Sequence, residues 1–346
     1  MLNWLFGSTS SGADIYVDLG TANTLIAVKN KGIVLNEPSQ VMVTETNLKK
    51  RKILGIGHEG VEIAKKNPGH IITIKPVRDG VIADFDATRS MLQYFLAKVL
   101  KKNSLTRPAV VVSLPYGVTE VEKKAVIEAC RSAGASKTYL IDEPMAAAIG
   151  ANLPVKEASG QMIIDIGGGT TEIAVIALAD IVYCEPLKIG GHKLDEAIIR
   201  YMKDFKNLII SEDSAEFLKI NLGTALPKKN IISLEIEGRD LSSGFPRKQI
   251  VSSEEIGTAL ADSIQQIVHG ILTALENTPP ELVSDIIGNG IVLAGGGALI
   301  KELSAKIEAE VRIPVRIAEN PLTAIALGGE IVLADPELLD KIQLEV

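Results

Sequence analysis

The chain has 346 residues, of which 46% are apolar and 23% charged, and this balance excludes a wholly disordered protein. Its 36 Lys and Arg against 43 Asp and Glu give a net charge of −7, which argues against a nucleic-acid-binding protein held by bulk charge. The length predicts about two domains. No apolar run approaches the ~18 residues of a membrane-spanning helix, and no signal peptide is visible, so we expect a cytoplasmic protein. Cys130 and Cys184 lie in apolar segments and are predicted to be buried free thiols.

A β-hairpin is predicted at the start of the chain. Apolar residues in 15–19 and 25–28 flank the turn Gly20-Thr21-Ala22-Asn23. Short strands are expected near 33–36 and 40–44. Apolar residues recurring every three or four positions predict an amphipathic helix over 87–102.

The next segment alternates strands with helices. Residues 109–114 are apolar and lie between two prolines, which predicts a buried strand. Thr119 and Glu122 form the pattern of a capping box, so a helix is expected from there to about Arg131. A strand at 139–141 leads into a helix that starts at Glu143 or Pro144.

The opening pattern then returns. An apolar strand leads into Asp165-x-Gly167-Gly168-Gly169-Thr170-Thr171, as an earlier one leads into Asp18-x-Gly20-Thr21-x-x-Thr24, and the two aspartates are 147 residues apart. This spacing predicts two similar domains that begin with the same hairpin. Helices follow at 192–206, 211–222 and 254–277, then a glycine-punctuated strand at 291–297, and then a helix at 321–334 with Pro321 at its first position. The alternation indicates an α/β protein.

Three other patterns have plain structural explanations. Gly55-x-Gly57-x-x-Gly60 matches a dinucleotide-binding fingerprint with Asp79 beyond it, but Pro68 limits the following helix to two turns, so we favour a glycine-rich connection in a small subdomain. The basic residues 49–52 are predicted to form a solvated turn. The four histidines are scattered, so no metal site is predicted from them.

The paired Asp-x-Gly turns carry the chemical signal. Glycine lets backbone N–H groups approach a phosphate closely, because no Cβ intervenes. Thr and Asn side chains add neutral donors, and an aspartate at the end of a strand can hold Mg²⁺ through water. The repeated turns therefore predict a site for the phosphates of a nucleotide.

Longer motifs show a resemblance to a known family. They are Val17–Thr24, Gly32–Ser39, Arg78–Phe85, Ile141–Gly150, Asp165–Glu172 and Leu293–Leu299. With them the chain resembles the MreB family of bacterial actins, within the superfamily of actin, heat-shock-chaperone and sugar-kinase ATPases. The resemblance extends from about residue 13 to about residue 335.

The resemblance implies an actin-like ATPase fold, α/β in class, with two related domains that each contain a mixed sheet flanked by helices, and with the nucleotide in the interdomain cleft. Domain I would comprise 13–147 plus 322–346, with a small subdomain at about 33–71. Domain II would comprise 148–321, with a small subdomain at about 182–246. Residues 1–12 would form an N-terminal amphipathic membrane-binding segment, and Ala326–Gly329 resembles the second connection between the domains.

The resemblance also implies the roles of individual residues. Glu143 matches the catalytic glutamate, Thr170 and Asp165 assist it, and Asp18 and Asp165 hold Mg²⁺ through water. The implied contacts to ATP or ADP are Asp18, Gly20, Thr21, Ala22, Asn23, Thr24, Gly167, Gly168, Gly169, Thr170, Gly190, Gly191, Glu216, Lys219, Gly295, Gly296 and Gly297. From the residues alone, Glu143 could equally be a helix-start glutamate, and Glu216 with Lys219 an ordinary i, i+3 ion pair.

The implied function is an ATP-hydrolysing protein that polymerises into double protofilaments. Such filaments would organise cell-wall elongation and rod shape with membrane proteins of the elongation machinery. Leu2, Leu5 and Phe6 share one helical face beside Trp4, which predicts binding to the inner face of the cell membrane, with a terminus that is frayed or packed on the body as the alternative. The family resemblance implies Leu105 as a second membrane contact. A small-molecule kinase and a chaperone ATPase are the competing functions, although we find neither an acceptor pocket nor room for a substrate-binding domain.

Overall fold

The computed structural model describes residues 14–44, 52–66, 71–78, 80–100, 107–227 and 230–345. The chain divides into two compact units, unit 1 with residues 1–150 and 325–346, and unit 2 with residues 151–324. The strands are β1 (Ile15–Leu19), β2 (Asn23–Val28), β3 (Gly32–Pro38), β4 (Val41–Thr44), β5 (Lys52–Ile56), β6 (Ile71–Ile74), β7 (Val77–Arg78), β8 (Val81–Ile82), β9 (Ala109–Leu114), β10 (Lys137–Asp142), β11 (Gln161–Ile166), β12 (Thr171–Ala177), β13 (Asp180–Leu187), β14 (Leu208–Ile209), β15 (Ser233–Asp240), β16 (Pro246–Ser252), β17 (Ile291–Ala294) and β18 (Val315–Ile317).

The helices lie between these strands in both units. They are α1 (Gly57–Lys66), α2 (Phe85–Val99), α3 (Glu120–Ser132), α4 (Glu143–Gly150), α5 (Gly191–Lys206), α6 (Glu212–Leu222), α7 (Ser253–Asn277), α8 (Pro280–Asn289), α9 (Leu303–Val311), α10 (Ala324–Ala334) and α11 (Pro336–Ile342). Capping boxes open α3 and α7, so the one predicted at Thr119 and Glu122 is confirmed.

The main sheets of the two units have the same topology. In unit 1 the strand order is β10-β9-β1-β2-β3, and in unit 2 it is β18-β17-β11-β12-β13. Each sheet contains an antiparallel three-stranded meander, and the first strand of that meander is extended by parallel strands. The repeat seen in the sequence is therefore a duplication of the whole sheet, with the Asp-x-Gly turns at equivalent positions.

Each unit has its own hydrophobic core. In unit 1 the core lies between the main sheet and α2 and α3, and in unit 2 it lies between the main sheet and α5, α6, α7 and α9. The parallel strands are buried on both faces, which explains their nearly continuous apolar sequences. These rigid sheets fix the positions of the turns at their edges.

Smaller sheets extend each unit. In unit 1, β5, β4 and β6 form an antiparallel sheet, and β7 pairs with β8; in unit 2, β14, β15 and β16 form a further antiparallel sheet. The glycine fingerprint at 55–60 belongs to β5 and the ten-residue α1. Because β5 is antiparallel to β4, this segment lacks the parallel β-α-β geometry of a dinucleotide site. Asp79 and residues 49–51 lie outside the described residues.

Two predictions about local structure are wrong in part. The helix predicted over 321–334 does not begin as an α-helix, since residues 321–323 form a 3-10 turn after an uncapped Asn320 and α10 starts at Ala324. Cys130 is a buried free thiol as predicted, whereas Cys184 is only half-buried. The reason is that Cys184 lies on β13, which is an edge strand of the unit 2 sheet.

Helix α10 packs on α4 without a gap. A Cβ atom on Gly328 would overlap the carbonyl oxygen of Ala146, and one on Gly329 would overlap the ring of Tyr16. Only a residue without a side chain therefore fits at either position.

We expect Gly328→Ala to lower the free energy of unfolding by about 1–3 kcal/mol, because the overlap with α4 outweighs the ~1 kcal/mol by which alanine favours a helix. Gly288→Ala in α8 is the matched control, since a Cβ there meets nothing within 4 Å. Chemical denaturation measures both changes. Equal effects of the two substitutions would contradict the steric explanation.

Candidate functional site

The first Asp-x-Gly turn connects β1 to β2 in unit 1. Asp18 is buried near the end of β1, and the turn covers Gly20 to Ala22 before β2 begins at Asn23. A Cβ on Gly20 would lie 2.6 Å from the carbonyl oxygen of Asn23. The tight turn thus requires glycine at this position, which leaves its backbone accessible.

Ser39 holds this turn from the neighbouring segment, and sequence analysis gave it no role. Its backbone N–H donates to the Ala22 carbonyl at 2.9 Å, and its hydroxyl donates to the Gly20 carbonyl at 2.7 Å. The Thr24 hydroxyl lies 2.9 Å from the Ser39 hydroxyl, and both side chains are fully buried. The available signal was the polar Ser39 directly after β3, which pairs with β2.

Ser39→Ala should lower the free energy of unfolding by about 1–3 kcal/mol, because it removes the partner of the buried Thr24 hydroxyl and of the half-buried Gly20 carbonyl. Thermal unfolding of Ser39→Ala, Thr24→Val and the double variant measures this effect. We expect the two single losses to be coupled, so that the double variant loses less than their sum. Strictly additive losses would show that the two hydroxyls act separately.

A second carboxylate lies at the same edge of the unit 1 sheet. Asp18 on β1 is opposite Ser113 on β9, Ser113 is opposite Ile141 on β10, and Glu143 follows directly after β10. Because these strands are parallel, their carboxyl ends meet at one edge, where ligands bind in α/β sheets. Asp18 and Glu143 are each only 7% exposed.

The electrostatic environment at this edge is negative and poorly solvated. Burial raises the pKa of Tyr16 well above its usual value, and the charges of Asp18 and Glu143 raise it further. Two buried carboxylates favour the binding of a cation at this edge, or the uptake of a proton by one of the carboxylates.

The second Asp-x-Gly turn connects β11 to β12 in unit 2. Within it, the Gly167 N–H donates to the Thr170 carbonyl at 2.8 Å, and just after it the Thr171 hydroxyl donates to the Ile189 carbonyl at 2.6 Å. The first residues of α5 pack on this turn. Gly190 precedes α5, and a Cβ on it would lie 2.7 Å from the carbonyl carbon of Gly169. The structure therefore brings two predicted glycine groups together.

Asp165 on β11 lies beside the third predicted glycine group, residues 295–297. It is opposite Ala294 on β17, and a Cβ on the next residue, Gly295, would lie 2.8 Å from its Oδ1 atom. Among the described residues, this buried oxygen has no hydrogen-bond partner. Burial raises the pKa of Asp165 to about 6.

This donor set fits a hydrated Mg²⁺ ion. A buried, acceptor-only oxygen without a partner suits one of the water molecules that Mg²⁺ retains. Nowhere in the described ranges are three or more His, Cys, Asp and Glu side chains grouped to hold a metal ion directly. Asp165 therefore has the chemistry of a ligand that contacts Mg²⁺ through water.

Glu216 and Lys219 on α6 do not pair with each other. Glu216 is exposed, whereas the Lys219 ammonium lies 2.8 Å from the carboxylate of Asp195 on α5. The alternative of an ion pair between Glu216 and Lys219 is therefore wrong, although the charge of Glu216 is close enough to raise the pKa of Asp195. Asp195 was missed because its partner is on another helix.

The remaining predicted residues have diverse environments. Thr21, Ala22 and Thr170 are half-buried, Asn23 and Gly296 are exposed, Gly168 is half-buried, and Gly297 is buried against Ile166. Leu2, Trp4, Leu5, Phe6 and Leu105 lie outside the described residues. In the part of the chain that the structure describes, none of the helices has the length and hydropathy of a membrane span.

Comparison with protein families gives a match over almost the whole chain. A family model described as MreB/Mbl protein matches residues 12–341. The cell shape-determining protein MreB of Escherichia coli strain K12 is 48% identical over 319 residues, which is 91% of this chain and 92% of that protein. The cell shape-determining protein Mbl of Bacillus subtilis strain 168 is 43% identical over 96% of this chain and 98% of that protein.

Solved structures give the same result for the fold. MreB 5 of Spiroplasma citri, crystallised with AMPPNP, superposes with a TM-score of 0.88 at 34% identity, over 94% of this chain and 97% of that one. A MamK double helical filament structure superposes with a TM-score of 0.78 at 20% identity, over 93% of this chain and 99% of that one. These likenesses confirm the predicted actin-like α/β fold.

Proposed function

The chain belongs to the MreB/Mbl family of bacterial actin-like, cell shape-determining proteins, and from this premise we propose that it binds ATP with Mg²⁺ and hydrolyses it. The family membership confirms the resemblance seen in the sequence and does not favour a sugar-type kinase. A relative that is 34% identical was crystallised with AMPPNP, which supports nucleotide binding by this chain.

The observation that carries the proposal is the pair of equivalent turns, each with a buried aspartate at the end of its strand. In the proposed complex the backbone N–H groups of 20–24 and 168–170 bind phosphate oxygens. The glycines of the two turns keep those N–H groups accessible. Mg²⁺ would neutralise charge on the phosphates, with Asp18 and Asp165 as its carboxylate partners.

Hydrolysis requires a group that orients water. Glu143 is buried at the start of α4, next to the parallel strand ends that carry Asp18. A carboxylate there can accept a proton from an attacking water molecule, and we propose this role for Glu143, with Thr170 as a second group that positions the water. Gly190, Gly191, Glu216, Lys219 and residues 295–297 complete the proposed nucleotide site.

We further propose that the protein assembles with itself into double protofilaments, that ATP favours the filament, and that hydrolysis weakens it. Such filaments would organise cell-wall elongation and rod shape together with membrane proteins of the elongation machinery. The cell shape-determining relatives support this role. Each protomer of the filament would have two domains. Domain I would comprise 13–147 plus 322–346, and domain II would comprise 148–321.

Nucleotide binding is tested by titrating Mg·ATP into the purified protein and into Gly20→Ala by calorimetry. We expect binding by the natural protein, and at least a tenfold loss in the variant, because the added Cβ opens the turn. Sedimentation with and without Mg·ATP then tests assembly. If Gly20→Ala, still folded, binds Mg·ATP as well as the natural protein, the assignment of this turn is wrong.

Membrane attachment is the remaining part of the proposal. Leu2, Trp4, Leu5 and Phe6 would insert into the inner face of the cell membrane, with Leu105 as a second contact, and assembly would multiply this weak binding. Deleting residues 2–7 should abolish co-sedimentation with liposomes while leaving ATP-dependent pelleting unchanged. Undiminished liposome binding after the deletion would exclude this segment as the anchor.

A further inference from the structure

An ion pair between Asp195 and Lys219 joins α5 to α6 near the start of α5. Asp195 is in the second turn of α5 and Lys219 is on α6, and their side chains are only 10% and 13% exposed. The Lys219 ammonium nitrogen lies 2.8 Å from Oδ1 and 2.9 Å from Oδ2 of Asp195. Both carboxylate oxygens therefore lie within contact distance of one cation.

The same ammonium has a third partner. It donates a hydrogen bond to the Gly191 carbonyl at 3.1 Å, at the residue where α5 begins. An ammonium group has three N–H donors and no acceptor. Its two hydrogen bonds, to Asp195 Oδ2 and to the Gly191 carbonyl, both tie α6 to the first two turns of α5.

Gly191 connects this pair to the second Asp-x-Gly turn. Its N–H donates to the Gly167 carbonyl at 2.9 Å, and the next N–H, of His192, donates to the Gly168 carbonyl at 2.8 Å. Gly190 packs against the same turn without room for a Cβ. A shift of Gly191 would therefore shift the turn that carries the proposed phosphate donors.

We propose that Asp195 and Lys219 are positioning residues, which hold the second Asp-x-Gly turn through Gly191. This inference rests on the proposed nucleotide site. It assigns Asp195 a part in nucleotide binding and gives Lys219 a role in addition to the one the family resemblance implies.

The test compares the double variant Asp195→Asn/Lys219→Met with the double variant Lys193→Met/Glu196→Gln. The first double variant removes both charges, so neither is left buried without its partner, as it would be in a single variant. Hydrogen exchange of the ligand-free proteins reports on the segment 166–171, and calorimetry reports on Mg·ATP. Lys193 and Glu196 form an exposed ion pair on the same helix as Asp195, which makes them the matched control.

We expect the Asp195→Asn/Lys219→Met variant to exchange the amides of 166–171 at least tenfold faster, with α7 and residues 173–177 of β12 unchanged, and to bind Mg·ATP at least tenfold more weakly. The control variant Lys193→Met/Glu196→Gln should leave the exchange of 166–171 unchanged. Unchanged exchange there in the Asp195→Asn/Lys219→Met variant would overturn the inference, as would faster exchange throughout unit 2. A natural protein that binds no Mg·ATP would refute the proposed function instead, and the exchange result would still decide whether the pair positions the turn.

Discussion

Replacing Asp165 with Asn is expected to stabilise the ligand-free protein and to abolish its affinity for Mg·ATP. The carboxylate is buried, one of its oxygens lacks a partner among the described residues, and burial raises its pKa to about 6. In the unfolded chain an aspartate titrates near pH 4, so keeping this group ionised in the folded state costs about 2–3 kcal/mol. Asparagine removes that cost and also removes the charge that Mg²⁺ needs.

The pH dependence of this effect has a defined sign. Because the folded-state pKa of Asp165 is raised, its contribution to stability is fully present below about pH 4 and is lost as the pH rises through about 6. Above that pH we expect Asp165→Asn to be more stable than the natural protein by about 1–3 kcal/mol, with the difference vanishing near pH 4.

Denaturant unfolding from pH 4 to pH 8, with and without Mg·ATP, measures both parts of this prediction. Mg·ATP should reverse the order of stability at pH 7.5, since only the natural protein gains binding energy. Asp262→Asn, at an exposed position of α7, is the matched control. A destabilised Asp165→Asn protein at neutral pH would show that Asp165 is held by interactions that compensate its burial.

Glu143→Gln should reduce the rate of ATP hydrolysis by about 10²–10⁴-fold and leave Mg·ATP affinity within a few-fold. Glutamine keeps the size and hydrogen-bonding reach of the side chain but cannot accept a proton from water. If assembly depends on the bound nucleotide as we propose, the filaments of this variant should persist longer. Phosphate release and light scattering, recorded in one sample, measure both effects.

The control for this experiment is Glu276→Gln, at an exposed position of α7. It removes one negative charge without changing the sheet edge. If Glu143→Gln hydrolyses ATP at the natural rate, Glu143 only stabilises the N-terminus of α4. That is the alternative that the sequence left open.

The duplicated architecture could be predicted because its signals are local. A buried strand, a glycine turn and a second strand are adjacent in sequence, so Asp18 and Asp165 identify equivalent turns without any knowledge of tertiary contacts. The capping box at Thr119 is similarly contained within one helical turn. Such signals depend on neighbouring residues, which the sequence shows directly.

The contacts that hold the turns could not be predicted in the same way. Ser39 reaches Gly20 only because β3 pairs with β2 in one register, and Lys219 meets Asp195 only because α6 packs on α5. The exposure of Cys184 also depends on its strand being at an edge. Each of these facts follows from strand order or helix packing, which a local pattern does not contain.

The contact between α10 and α4 has a mechanical consequence for unit 1. Since Gly328 and Gly329 leave no space against Ala146 on α4 and Tyr16 on β1, α10 cannot approach either element more closely. The chain returns to unit 1 at α10, and α4 begins at Glu143. A displacement of α10 toward α4 would therefore displace the helix that begins at the proposed catalytic glutamate.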